Sequence, residues 1–246
     1  MRQFSIYLAG KDTRHHVSTV ALAAAILGIA LHPASAVIIA DSVADFSSVQ
    51  GTNNWYYGYY DKTRDPDQTW NCNADFQLMT QWVVGASGDP TRPAWMVQYG
   101  TYWTQLFALG VHSNGLITSG GRISDEQDAI RRWVSTVNGI IHIEGHIAKI
   151  NTNPAGNGVV AKLSVNNSFY LSQYIAATDG TGLSYSLDVP VTIGDKVDLW
   201  LDPHQSNDRS DHTTFTATIS AVPEPATLAL LALGALAGMR HRRRVT

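Results

Sequence analysis

The sequence predicts an all-β protein: an antiparallel β-sandwich of jelly-roll type, with a signal peptide before it and a short hydrophobic helix after it. Three observations lead there. Short runs of alternating apolar and polar residues recur through the second half of the chain, broken by Gly, Asn, Asp and Pro, which is the signature of half-buried strands joined by turns. One internal stretch alone reads as a helix, 124–134, where Ser124 can cap and Gln127 follows three residues on. The two ends differ from the middle, because each carries an apolar run beside basic residues.

The strands follow in order. From Gly139, Ile141, Ile143 and Ile147 face one way while His142, Glu144 and His146 face the other. Val159, Ala161, Leu163 and Val165 repeat the pattern after Asn157-Gly158, and Leu183, Tyr185, Leu187 and Val189 repeat it again. Val197, Leu199 and Leu201 follow the Gly194-Asp195 turn, and Thr213, Phe215, Ala217 and Ile219 form the last strand. The region 40–121 is less regular and rich in Trp and Tyr, with strands expected around Trp55–Tyr60, Phe76–Trp82 and Met96–Tyr99. His112-Ser113-Asn114-Gly115 and Asn166-Asn167-Ser168 read as turns. No internal repeat divides the chain, so a single domain is expected over 37–220.

At the N-terminus, Arg2, Lys11 and Arg14 precede an apolar stretch, 20–31, and the small-residue site Ala34-Ser35-Ala36. This predicts a signal peptide over 1–36, cut by signal peptidase near Val37. At the C-terminus, Val222-Pro223-Glu224-Pro225 leads into an apolar run, 226–239, that stops at Arg240-His241-Arg242-Arg243-Arg244. Two prolines around a glutamate keep the backbone extended and open to a processing enzyme. The Leu/Ala run satisfies its backbone as a helix in lipid, and the arginines hold its end on the cytoplasmic side. The tail, 221–246, resembles the PEP-CTERM sorting signal of bacterial surface and secreted proteins. That resemblance implies cleavage by a membrane-embedded exosortase near Pro223-Glu224-Pro225. It also implies a precursor held in the inner membrane through 226–239 and a destination at the cell surface or outside the cell.

A second resemblance covers 131–219. Arg131-Arg132-Trp133-Val134, the glycines Gly139 and Gly145, Gly156-Asn157-Gly158-Val159-Val160, Gly194-Asp195-Lys196-Val197 and Asp211-His212-Thr213-Thr214-Phe215 occur in that order. The pattern is similar to the jelly-roll, carbohydrate-binding-module-like domains of exported bacterial proteins. It transfers no binding residue.

Charge narrows the partners. The ends hold seven of the 17 Lys+Arg and two of the 20 Asp+Glu, so the excised domain carries a net charge near −8. Nucleic acid and anionic lipid are poor partners for such a surface. With one cysteine, Cys72, no intrachain disulfide forms, and an apolar core must supply the stability.

Three groups of residues carry candidate chemistry. In Trp55-Tyr56-Tyr57-Gly58-Tyr59-Tyr60, strand geometry puts Trp55, Tyr57 and Tyr59 on one face. That face is either core or a platform for exopolysaccharide, with Asn53 and Asn54 beside it to bind hydroxyls. His142, Glu144 and His146 present two imidazoles and a carboxylate, but alternate positions lie about 7 Å apart, which is wide for one metal ion and suits a solvated sheet face. The acidic loop 202–211 offers Asp202, Asn207, Asp208 and Asp211 as oxygen ligands for Ca2+, although Arg209 opposes the site and Asx turns explain the same composition.

Catalysis has less support. A glycosidase needs two facing carboxylates, and Glu126 and Glu144 are the only glutamates of the domain. The expected protein is therefore a non-enzymatic surface or matrix protein that binds exopolysaccharide. The alternatives are a structural or adhesive protein without a glycan ligand, and a carbohydrate-active enzyme.

Overall fold

Strands numbered in chain order form two antiparallel sheets. One sheet runs β12 (Leu183–Val191), β9 (Gly139–Lys149), β14 (Thr213–Ala221), β7 (Gly110–His112), β6 (Gln105–Leu106), β5 (Ala94–Met96) and β4 (Gln81–Val83), with β1 (Val37–Asp41) also paired to β14. The other runs β11 (Ser168–Ile175), β10 (Val159–Val165), β13 (Lys196–Asp202), β8 (Gln127–Val134), β2 (Trp55–Asp61) and β3 (Gln77–Leu78). This computed structural model describes residues 36–85, 92–204 and 207–221, which fall within one compact unit, Ala36–Val222. The expected signal peptide, apart from Ala36, and the expected C-terminal helix lie outside the described residues. Among the described residues, no helix is long and apolar enough to cross a membrane.

The core sits between the sheets, where the alternation puts it. Ile141, Ile143 and Ile147 of β9 and Phe215, Ala217 and Ile219 of β14 pack against Ala161 and Leu163 of β10, Leu199 and Leu201 of β13, and Trp133 of β8. From β8 onward the chain changes sheet at every connection except the β10–β11 hairpin. That hairpin turns at Asn166, whose φ of 53° suits a residue tolerant of the left-handed region.

Residues 127–134 are a strand, not the expected helix. β8 lies between β13 and β2 and is covered on both faces. Ala129 and Trp133 enter the main core, while Ile130 joins a second cluster on the outer side with Tyr60 and Trp200, roofed by Trp70 and Phe76. A strand buried on both faces loses the period-two signal. Its charged residues hid it further. On the outer side, Arg132 donates from Nε and Nη2 to the Asp198 carboxylate at 2.7 and 2.8 Å and from Nη1 to the Cys72 carbonyl at 2.9 Å. The Phe76 ring lies 3.8 Å over its guanidinium. Arg131 faces inward and donates to the carbonyls of Ser42 (2.9 Å) and Phe107. Burial lowers the Arg131 pKa to about 10, so it stays charged at neutral pH while it ties β1 to the β6–β7 hairpin.

Candidate functional site: a cleft at one end of the sandwich

Connections β5–β6, β7–β8, β9–β10 and β13–β14 meet where β14 begins and β9 ends. Buried amide and hydroxyl side chains lock them together. Asn114 accepts the Trp103 backbone N–H at 2.9 Å and donates to the carbonyls of Ile123 and Asp125 at 2.8 and 2.7 Å. Its backbone bridges to Gln127, so Asn114-Gly115 is a clamp between segments and not the expected turn. Thr104 donates to Gln127 at 2.7 Å, and Gln127 donates to Asp61 at 3.1 Å. Asp208 accepts the Gly115 N–H at 2.9 Å and thereby holds the β13–β14 loop against the β7–β8 loop. Ile150 and Asn151 donate their N–H groups to the His212 carbonyl at 2.8 and 3.1 Å. These bonds cross from one connection to the next, and that converts flexible connections into a rigid frame.

Two cavities open in this frame. The polar one, about 280 Å³, is walled by Trp103, Gln105, His112, Asn151, Asp208 and His212, with Ser119 and Ser210 at its sides. The other, about 400 Å³, is mostly apolar and includes Phe107, Leu109, Ile150 and Arg92. His212 belongs to both walls. It fits because residue 110 is glycine: a Cβ there would stand 2.8 Å from its Nε2. The half-buried Trp103 indole is held by its Nε1–H, which donates to the Ser119 carbonyl at 3.1 Å, and by the Arg122 guanidinium, 4.3 Å from the ring centre.

The imidazoles of the cleft are uncharged. His112 Nδ1 lies 2.6 Å from the Ser113 carbonyl, which only accepts, so Nδ1 carries the proton and Nε2 is left as an acceptor. Burial lowers the His112 pKa to about 3, helped by Lys149 and, once it protonates in acid, by His212. Burial, with Arg92 and Lys149 nearby, lowers that of His212 to about 4. Asp208 is pushed upward by burial. Behind the wall, Lys149 and Asp211 form a buried pair at 3.4 Å, and burial raises Asp211 to about 8. The polar cavity is thus lined by neutral hydrogen-bonding groups around one indole, with Asp208 as the one carboxylate among its lining residues.

The residues expected from the sequence lie elsewhere. Trp55 and Tyr57 are 0% and 1% exposed and belong to the main core, so they form no platform. Tyr57 stacks on Trp95 with ring centres 5.9 Å apart, and the Trp55 Nε1–H donates to Asp45 at 3.3 Å. Tyr59 is half-buried and donates its hydroxyl to Gln77 at 2.9 Å. Asn53 and Asn54 occupy left-handed backbone positions (φ 50° and 64°), which explains the choice of asparagine, and Asn53 donates to Asp45 at 2.8 Å.

The expected calcium ligands do not converge. Asp202 sits between the ammonium groups of Lys62 and Lys162, at 2.8 and 2.7 Å; against the upward push of burial, these hold its pKa at about 2. Asp211 pairs with Lys149, Asp208 serves Gly115, and the Asn207 side chain accepts the Arg209 N–H at 3.1 Å. Among the described residues no group of three or more His, Cys, Asp or Glu is placed to hold a metal ion. His142, Glu144 and His146 lie on the outer face of their sheet, where His142 pairs with Asp188 at 2.7 Å and His146 with Ser184 at 3.3 Å. Glu126 opens the β8 side of one sheet, 3.2 Å from Lys62, and Glu144 belongs to the other sheet, so the two glutamates share no site. No spacing in the sequence joins Trp103, His112, Asn151, Ser210 and His212, which three separate loops and the end of β7 bring together.

The tail is settled by comparison. Residues 221–244 match the PEP-CTERM protein-sorting motif. The chain therefore carries the sorting signal of an exported protein handled by an exosortase, and this PEP-CTERM segment lies almost wholly outside the described residues. A comparison with curated proteins finds no match.

Carbohydrate-binding modules are among its structural neighbours. The CBM51 of Clostridium perfringens GH95, in complex with methyl-galactose, is 9% identical, with 57% of this chain and 88% of that chain covered at a TM-score of 0.32. The C-terminal CBM6 of LamC from Zobellia galactanivorans is 9% identical, with 67% and 99% covered at 0.28. A Kluyveromyces marxianus beta-glucosidase in complex with glucose is 7% identical, with 81% of this chain and 20% of that chain covered at 0.35. At these TM-scores the likeness carries no argument about ligand or activity.

Proposed function

We propose that this PEP-CTERM protein is a non-enzymatic surface or matrix protein that binds a neutral glycan, an exopolysaccharide, in the end cleft. Signal peptidase and exosortase process it, and residues 226–239 anchor the precursor in the inner membrane until the second cut. Trp103 stacks on the apolar face of a sugar ring, and His112, His212, Asn151 and Ser210 bond its hydroxyls. One observation carries the reading: a fixed, half-exposed indole stands over a cavity of about 280 Å³ walled, apart from Asp208, by uncharged donors and acceptors. Catalysis by a carboxylate pair has no support there, since Asp208 stands alone among the lining residues. The domain's net charge favours neutral polymers over polyanions.

The test is affinity electrophoresis of residues 37–220 through gels containing soluble xylan, mannan, galactan or β-glucan. Retardation in at least one gel, abolished by Trp103→Ala with the near-UV circular dichroism unchanged, is the expected result. Free migration in every gel would end this reading.

A further inference from the structure

Among the described residues, β11 forms an edge of its sheet, with β10 as its one neighbour. Its residues, Ser168–Ile175, include no charge, proline or glycine. Phe169 and Tyr174 are 50% and 47% exposed. Elsewhere on this outer face the large rings are covered, Trp200 being 1% exposed. Five residues apart, Phe169 and Tyr174 would stand on opposite faces of a regular strand. A β-bulge changes this. The register slips between Leu163 and Ser164, so that Ser164 faces Phe169 while Val160 faces Tyr174. Ala161 and Leu163 fill the core, so both rings project from the outer side, four strand steps or about 13 Å apart.

Both rings are held in place. Phe169 lies 5.2 Å from the Trp200 ring. Tyr174 donates its hydroxyl to the Asn157 carbonyl at 2.9 Å and packs 4.8 Å from the His204 ring. Ser172 lies between them, opposite Lys162, whose ammonium is bound by Asp202 at 2.7 Å. The strip therefore offers two pre-set apolar faces with a hydroxyl between them and no free charge on the strand. His204, which packs on Tyr174, belongs to the β13–β14 connection, and that connection also supplies Asp208, Ser210 and His212 to the cleft.

We propose that β11 is a second sugar platform, which grips a linear neutral polysaccharide along its length through Phe169 and Tyr174. This rests on the glycan reading of the cleft and adds a site to it. One sugar ring cannot reach both aromatic faces, whereas an extended chain can, so the strip recognises polymer and the cleft recognises a single unit. Two sites on one rigid domain gain affinity for one polymer through effective concentration, or bridge two polymers.

The experiment compares wild type, the Phe169→Ala/Tyr174→Ala double variant and Trp103→Ala in the same polysaccharide gels, and by calorimetry with neutral methyl hexosides. The double variant is expected to lose polymer affinity by about tenfold or more while its methyl hexoside affinity and melting temperature stay at the wild-type values. Phe169→Tyr/Tyr174→Phe, which keeps both rings, is expected to retain polymer binding. Polymer retention unchanged in the double variant overturns the platform and leaves the cleft standing. No retention of wild type in any gel overturns both. A concentration-dependent dimer that the double variant abolishes, with polymer retention intact, assigns the strip to a second copy of this chain and overturns the platform as well.

Discussion

Strand β2 has β8 on one side and β3 on the other, whereas among the described residues β11 has β10 alone. Both are aromatic, with Trp55, Tyr56, Tyr57, Tyr59 and Tyr60 on β2 and Phe169, Tyr170 and Tyr174 on β11. On β2, Trp55 and Tyr57 enter the core between the sheets, and Tyr60 lies under Trp70 in the outer cluster. On β11, Phe169 and Tyr174 stand in solvent. Residue type does not separate the two strands. Neighbours do: β2 is paired on both sides and roofed by the loop that carries Trp70 and Phe76, while that loop reaches only the turn before β11, at Asn166 and Asn167, and leaves Phe169 and Tyr174 exposed. An aromatic strand becomes a binding surface where the fold stops covering it.

The largest effect should come from breaking the covered side. Trp55→Ala is expected to cost about 3–5 kcal/mol, as for other buried tryptophans, in urea unfolding. The folded fraction should retain wild-type polysaccharide retention. A loss under about 1 kcal/mol would place Trp55 outside the core and reverse the contrast with β11. The roof comes next. Asp198→Ala leaves the Arg132 guanidinium buried without its carboxylate, and breaking such a pair costs about 3–5 kcal/mol. Arg132→Met/Asp198→Leu, which removes both charges, should recover most of that loss, because uncompensated charge and not missing attraction drives it.

How much of this was legible depended on solvent. β9, β10, β12 and β14 bury mainly one face, so alternation alone places Ile141, Leu163, Tyr185 and Phe215 in the core. β13 is buried on both faces, but Asp198 between Val197 and Leu199 keeps its alternation readable. β8 was misread because Asp128, Arg131 and Arg132 are buried on a strand covered from both sides, where polarity no longer reports orientation. β2 misled in the opposite sense. Its rings fit core and platform equally well, and its cover comes from partners distant in sequence, such as Trp133 opposite Trp55. The β11 face was unreadable for a third reason: one bulge residue sets which side Phe169 occupies, and no spacing rule announces a bulge. The cleft is assembled by Asn114, Gln127 and Asp208, whose hydrogen bonds cross from loop to loop.

Binding residues should show the reverse balance of stability and affinity. Trp103→Ala is expected to weaken glycan retention by about tenfold or more, equivalent to about 1.4 kcal/mol or above, with a stability loss smaller than that of Trp55→Ala. Equal losses in both quantities would mark Trp103 as a packing residue like Trp55.

The remaining effects concern protons, and they separate the cleft from the sheet beside it. An unfolded imidazole binds a proton below about pH 6.5. In the folded protein His112 waits until about 3 and His212 until about 4. Between these values the unfolded chain holds more protons, so the stability contributed by the neutral imidazoles is complete above about pH 6.5 and drains away in acid. Asp128 acts in the opposite direction. Burial raises it to about 7, although Lys62 lies 2.9 Å away, so its contribution is complete below the ordinary carboxylate range and is lost as the pH rises towards 7. Urea midpoints measured from about pH 4 to 8 should therefore show a shallower acid loss in His112→Gln and a shallower loss towards neutrality in Asp128→Asn. Glycan affinity should be flat from about pH 5 to 8, because neither cleft imidazole changes charge in that interval. A binding step centred near pH 6.5 that His112→Gln or His212→Gln abolishes would mean that the imidazole titrates as an exposed one, and the cleft would then lack the neutral imidazoles on which this reading depends.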